Sequence, residues 1–424
     1  MEGVIFMDKT AIELFAGVGG FRVGLNHVTL GDNGKAIEEN NFKFLWANQW
    51  EPSTTTQPAF DCYKERFSKG DGSDEKEFSN IDISLVDKKK LPDFTLLTGG
   101  FPCQDYSVAR SLSQEKGIEG KKGVLWWQIN DILKAKKPPF VLLENVDRLL
   151  KSPSKQRGRD FGIMLRCFAD NNYSVEWRVI NAAEYGHPQR RRRTYIFAYK
   201  NSTNHSKSLN KVSPEDILLH NGIFATEFPV ASVDKIKECD LNEYNDLLDM
   251  TNRFAFRFEN GGYMKKGKVY TSIITPQIAN PITLNDIVLN EDIDSKYFLT
   301  KEQNEKFTYL KGSKRIPRID KNTGFEYMYS EGAMSYPDGY DNPGRTMLTS
   351  EGTVNRSTHV IEDRKTGKYR LLTPIECERL NQFPDNWTNT MTDKKRYFMM
   401  GNALVTGIIK KLGKSIERYI EEEE

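Results

Sequence analysis

The chain has 424 residues, and its 61 Lys and Arg residues against 59 Asp and Glu residues leave a formal net charge of +2. This length allows two or three domains with a large core, and the balanced charge excludes a uniformly basic protein. No apolar run approaches a membrane span, and the first residues lack a signal-peptide pattern. The five cysteines form no Cys-x-x-Cys pair, so we expect a cytoplasmic protein with reduced thiols, no membrane segment and no metal.

A glycine-rich turn follows the first predicted strand. Thr10–Leu14 is a short apolar strand, AGVGGF follows at Ala16–Phe21, and an amphipathic helix begins near Arg22. A strand, a glycine-rich loop and a helix are typical of a nucleotide-type loop, in which backbone N–H groups approach a ligand. A plain tight turn between strand and helix is the alternative.

Polar residues follow the second and third predicted strands. Phe42–Ala47 alternates as a half-buried strand and leads to Gln49 and Trp50. A polar side chain at this point, about 30 residues after a glycine loop, is where α/β folds hold a ribose. Trp50 either stacks on an adenine or packs in the core. Asp82 stands at the end of a third predicted strand, next to Ile83.

A cysteine loop follows the strand Phe94–Leu97. The sequence GGFPCQDYS at Gly99–Ser107 predicts a tight turn that places Cys103 at the carboxyl edge of the sheet, where open α/β sheets bind ligands. A lone cysteine is more often a small buried residue than a nucleophile, but the flanking sequence favours the nucleophile here. Gln104–Gly123 is a long polar loop that is predicted to close over a polyanion or to be plain exposed surface.

A carboxyl group and a run of arginines complete the candidate chemistry. Glu144 comes directly after the buried strand Phe140–Leu143, where burial raises a carboxyl pKa so that the group can donate a proton; a helix-capping acid is the alternative. Arg190–Arg193 enter the strand Thr194–Tyr199. Because strand residues alternate between faces, we expect Arg191 and Arg193 to share one face and Arg190 and Arg192 the other, so that one pair reaches into a cleft and the other outward.

These motifs, taken in order, resemble the DNA (cytosine-5)-methyltransferases, especially bacterial restriction–modification enzymes. The matching segments are ELFAGVGGF at 13–21, FPCQDYS at 101–107, ENV at 144–146, QRRRR at 189–193, RLLTPIECERLNQFPDNW at 370–387 and GNALV at 401–405. The match covers about residues 10–200 and 345–415. Two positions depart from the family pattern, since Gln49 stands where the family has Glu and Leu404 stands where it has Val.

The resemblance implies an α/β fold with a Rossmann-like sheet that binds S-adenosylmethionine, and a second, smaller, β-containing target-recognition domain. We expect residues 1–205 to form the catalytic domain, completed by about 385–424. Residues 206–365 would form the recognition domain, and 366–384 a hinge that returns to the catalytic domain.

The resemblance also implies transfer of a methyl group to carbon 5 of a flipped cytosine in double-stranded DNA, through a covalent cysteine intermediate. The implied catalytic residues are Cys103, Glu144, Arg191 and Arg193. The implied cofactor residues are Phe15, Gly17, Gly19, Gln49, Trp50, Asp82, Ile83 and Asn402. The implied DNA contacts are Gln104, Ser107, Thr346 and Met347.

Three alternatives remain at this stage. A tRNA cytosine-5 methyltransferase would keep the chemistry and change the substrate, but the large variable region favours DNA. A non-catalytic DNA-binding module would not need Cys103, Glu144 and Arg193, and a dinucleotide-dependent oxidoreductase would leave the cysteine and arginine motifs unexplained. We expect a monomer that protects host DNA beside a cognate restriction endonuclease.

Overall fold

The computed structural model describes residues 7–52, 54–101, 125–320 and 323–423. Its strands, in chain order, are β1 (Thr10–Leu14), β2 (Thr29–Leu30), β3 (Ala36–Ile37), β4 (Lys43–Asn48), β5 (Phe78–Ser79), β6 (Leu96–Gly100), β7 (Phe140–Val146), β8 (Tyr173–Asn181), β9 (Arg192–Lys200), β10 (Val230–Val233), β11 (Lys237–Asp240), β12 (Gly261–Lys265), β13 (Lys268–Ser272), β14 (Ile274–Pro276), β15 (Lys314–Ile319), β16 (Glu326–Glu331), β17 (Val360–Glu362) and β18 (Tyr369–Leu371).

The α-helices of the same residues are α1 (Gly20–Leu25), α2 (Pro58–Phe67), α3 (Leu125–Lys136), α4 (Arg159–Asp170), α5 (Asn204–Ser208), α6 (Pro214–Asp216), α7 (Ile223–Glu227), α8 (Leu247–Arg253), α9 (Leu284–Ile287), α10 (Lys301–Lys311), α11 (Pro374–Leu380), α12 (Asp393–Asn402) and α13 (Thr406–Glu421). No helix within the described ranges is long and apolar enough to cross a membrane.

A ten-stranded sheet forms the centre of the molecule, with the order β11-β13-β12-β8-β9-β7-β6-β1-β4-β5. The strands from β5 to β7 in this order run parallel, and β9 is antiparallel to both of its neighbours, β7 and β8. Helices cover both faces, which is the layer arrangement of an α/β fold and confirms the predicted class.

Alternating side chains of the central strands pack in two separate hydrophobic cores, one on each face of the sheet. Ile12 and Leu14 of β1 join the core covered by α3 and α4, whereas Ala11 packs with α1 and α13 on the opposite face. A third core unites α2, the segment near α9, and the C-terminal helices α11 and α12. Trp387, which is fully buried, lies in this third core.

The three strands of residues 237–272 belong to the central sheet. β12 pairs with β8 from Gly261 to Met264, and β13 and β11 follow it outward. These strands lie within the range 206–365 that is expected to form the recognition domain. The expected hinge at 366–384 contains β18 and α11. In the sequence, Thr373 and Glu376 predict a helix start with a capping box, and α11 begins there.

Candidate active site

Glu144 lies near the carboxyl end of β7, beside the point where the cysteine loop leaves the sheet. In the parallel register, Gly100 of β6 is opposite Glu144. The side-chain amide of Asn145 donates a hydrogen bond of 2.8 Å to the carbonyl oxygen of Phe101. Neighbouring parallel strands end at the same edge, so this geometry starts the Cys103 loop next to the carboxyl group. Cys103 itself lies outside the described residues, as do Gln104 and Ser107.

The Glu144 carboxylate is paired with one arginine of the predicted run. Arg193 Nε lies 2.9 Å from Glu144 Oε1, and the two side chains are 16% and 13% exposed. Burial raises the pKa of Glu144, while the positive charges of Arg193 and Arg191 act in the opposite direction. A carboxyl group held this way, with its second oxygen near the backbone of Gly100, can exchange a proton with a ligand in the cleft.

The four arginines divide between the two faces as predicted. Arg191 and Arg193 point inward, whereas Arg190 and Arg192 are exposed. Arg192 contacts Asp147 only at 3.7 Å, and that pair is 60% and 46% exposed. The alternation of strand side chains therefore separates the buried Arg191 and half-buried Arg193 from the exposed Arg190 and Arg192.

Arg191 does not hydrogen-bond to Glu144 but joins three chain segments. Its guanidinium donates to the carbonyl oxygens of Met347, at 3.1 Å, and of Gly401 and Asn402, at 2.9 and 3.3 Å. Burial lowers the pKa of Arg191 to about 9, with Arg193 acting in the same direction. In this arrangement Arg191 positions the segments around the cleft, a role that the motif spacing did not indicate.

Gln189 also contacts the segment at Met347. The sequence signal for this role was its place at the start of the motif 189–193. Its side-chain oxygen accepts a hydrogen bond from the Met347 N–H at 3.1 Å, and its amide donates to Asn381 Oδ1 at 2.8 Å. Met347 is fully buried, its side chain packs in the third core, and its backbone N–H and carbonyl oxygen are bound by Gln189 and Arg191. Thr346 Oγ1 donates to the Arg190 carbonyl oxygen at 2.5 Å.

The glycine loop between β1 and α1 borders open space. Gly17 has φ of 54°, and a Cβ placed there would meet no described atom within 4 Å. The Gly17 N–H donates to Gln49 Oε1 at 2.8 Å, which ties the loop to the end of β4. Trp50 follows and is 37% exposed, so its ring is accessible to a ligand. Open space, a neutral polar side chain and an exposed indole fit the adenosine part of a nucleoside donor.

The other predicted cofactor residues lie in separate segments of the chain. Phe15 is half-buried with φ of 54°, and Gly19, with φ of 90°, precedes α1. Asp82 accepts from the Ser84 N–H at 2.9 Å, and the buried Ile83 contributes its side chain to the core. From the C-terminal side, Leu404 packs on Gly20, and the exposed Asn402 ends α12.

Glu13, which the sequence patterns did not single out as a site residue, is fully buried beneath the loop. Its carboxyl group accepts from the Phe21 N–H and from the Tyr63 hydroxyl, both at 3.1 Å. Burial raises the pKa of Glu13 to about 8. An acid within an otherwise apolar strand, three residues before the loop, was the only signal for this role.

Comparison with known proteins identifies a family over nearly the whole chain. Residues 9–418 match the sequence model of the C-5 cytosine-specific DNA methylases. The chain is 48% identical over 412 residues to the Type II methyltransferase M.Sau3AI of Staphylococcus aureus, covering 96% of this chain and 95% of that protein. It is 24% identical over 405 residues to M.SsoII of Shigella sonnei, covering 96% and 79% of the two chains.

Solved structures agree on the fold. The Dnmt2 methyltransferase of S. pombe superposes with a TM-score of 0.55 at 14% identity, covering 96% of this chain and 98% of that one. The DNMT2 of Spodoptera frugiperda gives the same TM-score over 97% of this chain and 99% of that one. The carboxyl and arginine pair at the sheet edge thus stands in a methyltransferase fold, and the chain belongs to the C-5 cytosine-specific DNA methylases, which use S-adenosylmethionine as methyl donor.

Proposed function

We propose that this chain is the modification enzyme of a Type II restriction–modification system, which methylates carbon 5 of a cytosine within a fixed sequence of duplex DNA. The 48% identity to a Type II methyltransferase over 96% of the chain supports this assignment, and the family match supports DNA over the tRNA alternative. We further propose that the protein acts as a monomer in the cytoplasm, without a metal, beside a cognate restriction endonuclease.

Carbon 5 of cytosine is a poor nucleophile, so the ring must first be activated. The Cys103 thiolate adds to carbon 6, which forms the Sγ–C6 bond and pushes electrons toward N3. Glu144 holds a proton at N3 as charge develops there, and Arg193 orients the Glu144 carboxyl and contacts the ring oxygen at O2. Arg191 acts through the segments that it joins rather than through the ring.

When bound, S-adenosylmethionine would supply an electrophilic methyl group to carbon 5, and its sulfonium would be released as the neutral thioether of S-adenosylhomocysteine. A base then removes the carbon-5 proton, and the Sγ–C6 bond breaks. The residues proposed to bind the donor are Phe15, Gly17, Gly19, Gln49, Trp50, Asp82, Ile83 and Asn402. Gln49 accepts from Gly17 through its oxygen, which leaves its amide to contact the ribose, and Trp50 stacks on the adenine.

The cytosine is unreachable inside a duplex, so the base must flip out before the thiolate can attack. Gln104 and Ser107 of the Cys103 loop would contact the DNA backbone or the space that the base vacates. Thr346 would contact DNA next to Arg190, and the buried Met347 would hold Thr346 in place. Phosphate contacts make binding fall with rising salt.

The observation that carries the proposed mechanism is the Arg193–Glu144 pair beside the start of the cysteine loop. Duplex DNA with 5-fluorocytosine at the target tests it, because fluorine cannot leave as a proton does and the Sγ–C6 adduct should persist. We expect a covalent complex that requires the methyl donor, with Cys103 as the modified residue by mass spectrometry.

Two variants sharpen this experiment. Cys103→Ser should bind DNA but form no adduct, and Glu144→Gln should lower the rate of adduct formation by about 100-fold or more, because it cannot donate a proton to N3. Asp147→Asn, which removes an exposed neighbouring carboxylate, is the matched control. An adduct on another residue, or normal rates in Glu144→Gln, would contradict the proposed roles.

A further inference from the structure

A separate two-stranded ribbon follows helix α10. β15 and β16 pair antiparallel over six residue pairs, from Lys314–Glu331 to Ile319–Glu326, and they join no other strand of the described residues. Paired strands lie about 4.8 Å apart. The major groove of B-DNA is about 12 Å wide and admits a two-stranded ribbon.

The base of the ribbon is fixed to the preceding helix α10. The Arg356 guanidinium donates to the carbonyl oxygens of Leu310 and Gly312, at 2.6 and 3.3 Å, and also to that of Gly332. It lies 3.3 Å from the Glu331 carboxylate as well. A single hairpin is at best marginally stable alone, so these contacts hold the ribbon in one orientation.

The outer half of the ribbon exposes apolar side chains. Ile319 is 61% exposed, Phe325 is 68% exposed, and Tyr327 and Met328 are 41% and 48% exposed. Single exposed apolar residues are common, but a group of them at one end of a protruding element marks an interaction site.

Two arginines of β15 carry the unneutralised positive charge of the ribbon. The Glu331 carboxylate is matched by Lys314, at 3.7 Å, and by Arg356. Within the described ranges, neither Arg315 nor Arg318 forms an ion pair. The Arg318 guanidinium lies 3.7 Å from the ring centroid of Tyr329, which orients this planar group before any ligand binds.

The ribbon is connected to the reaction centre through a short path of contacts. Arg345 donates to the carbonyl oxygens of Ser357 and Thr358, the residues that follow the anchor Arg356. The next residue after Arg345 is Thr346, which donates to the Arg190 carbonyl oxygen. These hydrogen bonds therefore connect the base of the ribbon with the backbone at Arg190.

We propose that this ribbon enters the major groove of duplex DNA and that Arg318 recognises a guanine there through its O6 and N7 acceptors. A planar guanidinium held in place matches this pair of acceptors, and exposed apolar groups match thymine methyl groups. The inference rests on the proposed function, since it names the element that selects the methylated sequence.

The test compares methyl transfer onto a library of duplexes in which the bases around the target cytosine are varied. Arg318→Ala should lower kcat/KM on the preferred sequence by about 10- to 100-fold and leave other sequences little changed, so that discrimination at one guanine is lost. Arg418→Ala is the matched control, because this half-exposed arginine lies over Tyr419 on the C-terminal helix instead. It should change neither rate nor sequence preference.

Each contrary outcome has a defined meaning. Uniform weakening on all sequences with a reduced salt slope would assign Arg318 to a phosphate and overturn base recognition. An unchanged sequence preference in both Arg318→Ala and Phe325→Ser, or a dimer of the wild-type chain that Phe325→Ser dissociates, would overturn the ribbon as the recognition element. Absence of carbon-5 methylation by the wild-type chain would instead refute the proposed function itself.

Discussion

At the scale of single residues, neighbouring arginines of one strand have opposite environments. Arg193 lies 2.9 Å from a carboxyl group that is 13% exposed, whereas Arg192 lies 3.7 Å from one that is 46% exposed. Ion pairs on the surface contribute little to stability, but charges that are mostly withdrawn from water act strongly on each other. The chemical difference between the two arginines therefore comes from the face of the strand and not from the residue type.

Replacement of these arginines should separate their roles. Arg193→Ala should lower kcat/KM for methyl transfer by about 100-fold, because it removes the group that orients Glu144. Since the positive charge of Arg193 lowers the pKa of Glu144, its loss should raise that pKa further and move the alkaline limb of the pH–rate profile to higher pH. Arg192→Ala is the control and should stay within a few-fold of wild type. Equal losses in the two variants would show that the pairing with Glu144 is irrelevant.

The buried Glu13 should make stability depend on pH. Its pKa is raised to about 8 in the folded protein, above the ordinary value of about 4.3, so the folded state holds a proton that the unfolded state releases. Its contribution to the free energy of unfolding is fully present below pH 4 and decreases as pH rises toward 8.

Glu13→Gln removes this titration while keeping an acceptor for the Phe21 N–H. The advantage of the variant in urea unfolding should grow from pH 5 to pH 8, by up to about 1.4 kcal/mol per pH unit. Glu38→Gln is the control, because hydrogen bonds and charge from Arg22 lower the pKa of Glu38, so that the contribution of Glu38 stays constant from pH 5 to pH 8 and is lost only in more acidic solution. A constant difference between wild type and Glu13→Gln across this range would refute the raised pKa.

At the scale of elements, the loop between β1 and α1 contains two glycines with different surroundings. A Cβ on Gly19 would lie 2.7 Å from the Phe67 ring, whereas a Cβ on Gly17 would point into open space. Both have positive φ, which costs an L-residue about 1 kcal/mol or more.

Alanine at these two positions should give different defects. Gly19→Ala should lower Tm by several degrees, since the methyl group collides with α2. Gly17→Ala should lower it little but weaken binding of S-adenosylmethionine about 10-fold or more, because the methyl group occupies the space proposed for the donor. Calorimetric titration with the donor and thermal unfolding measure the two effects. Donor affinity equal to wild type in Gly17→Ala would remove this loop from the donor site.

Helix α5 lies where local composition predicts no regular element. The polar stretch Asn201–Asn210 predicts a linker, but residues Asn204–Ser208 form α5, with Thr203 as its N-cap. His205 of this helix is buried and stacks on Tyr419 of α13 at a centroid distance of 3.8 Å. A contact with a residue more than 200 positions away stabilises a helix that its own composition does not indicate.

At the scale of the whole molecule, the third core connects the loop between β1 and α1 to the C-terminal segment. The Trp387 indole N–H donates to the Val18 carbonyl oxygen at 2.8 Å, and its ring packs on Phe67 at a centroid distance of 5.5 Å. The same core includes Met347, next to the arginine run. The loop between β1 and α1, the segment at Met347 and the C-terminal helices therefore share one core.

Loss of the Trp387 ring should reduce both the stability of the protein and its affinity for the methyl donor. Trp387→Ala should cost about 3–5 kcal/mol of unfolding free energy, as for large buried aromatic residues, and should also weaken donor binding through Val18. Trp50→Ala is the control tryptophan, expected to weaken donor binding with little loss of stability because Trp50 is 37% exposed. If Trp387→Ala lost stability but kept wild-type donor affinity, the coupling between core and loop would be refuted.

Local sequence pattern was sufficient to predict several of the elements that carry the motifs. Apolar runs and caps predicted β1 with its observed bounds, the start of α11 at its capping box, and the alternation of Arg190–Arg193, because strand period and helix capping depend on residues close in the chain. Motif order predicted the family, and the family match confirmed it. Neither could show that residues 237–272 join the central sheet or that Arg191 binds carbonyl groups of residues 347, 401 and 402. Those outcomes depend on which distant segments meet, and strand pairing and buried hydrogen bonds are chosen only when the complete core is packed.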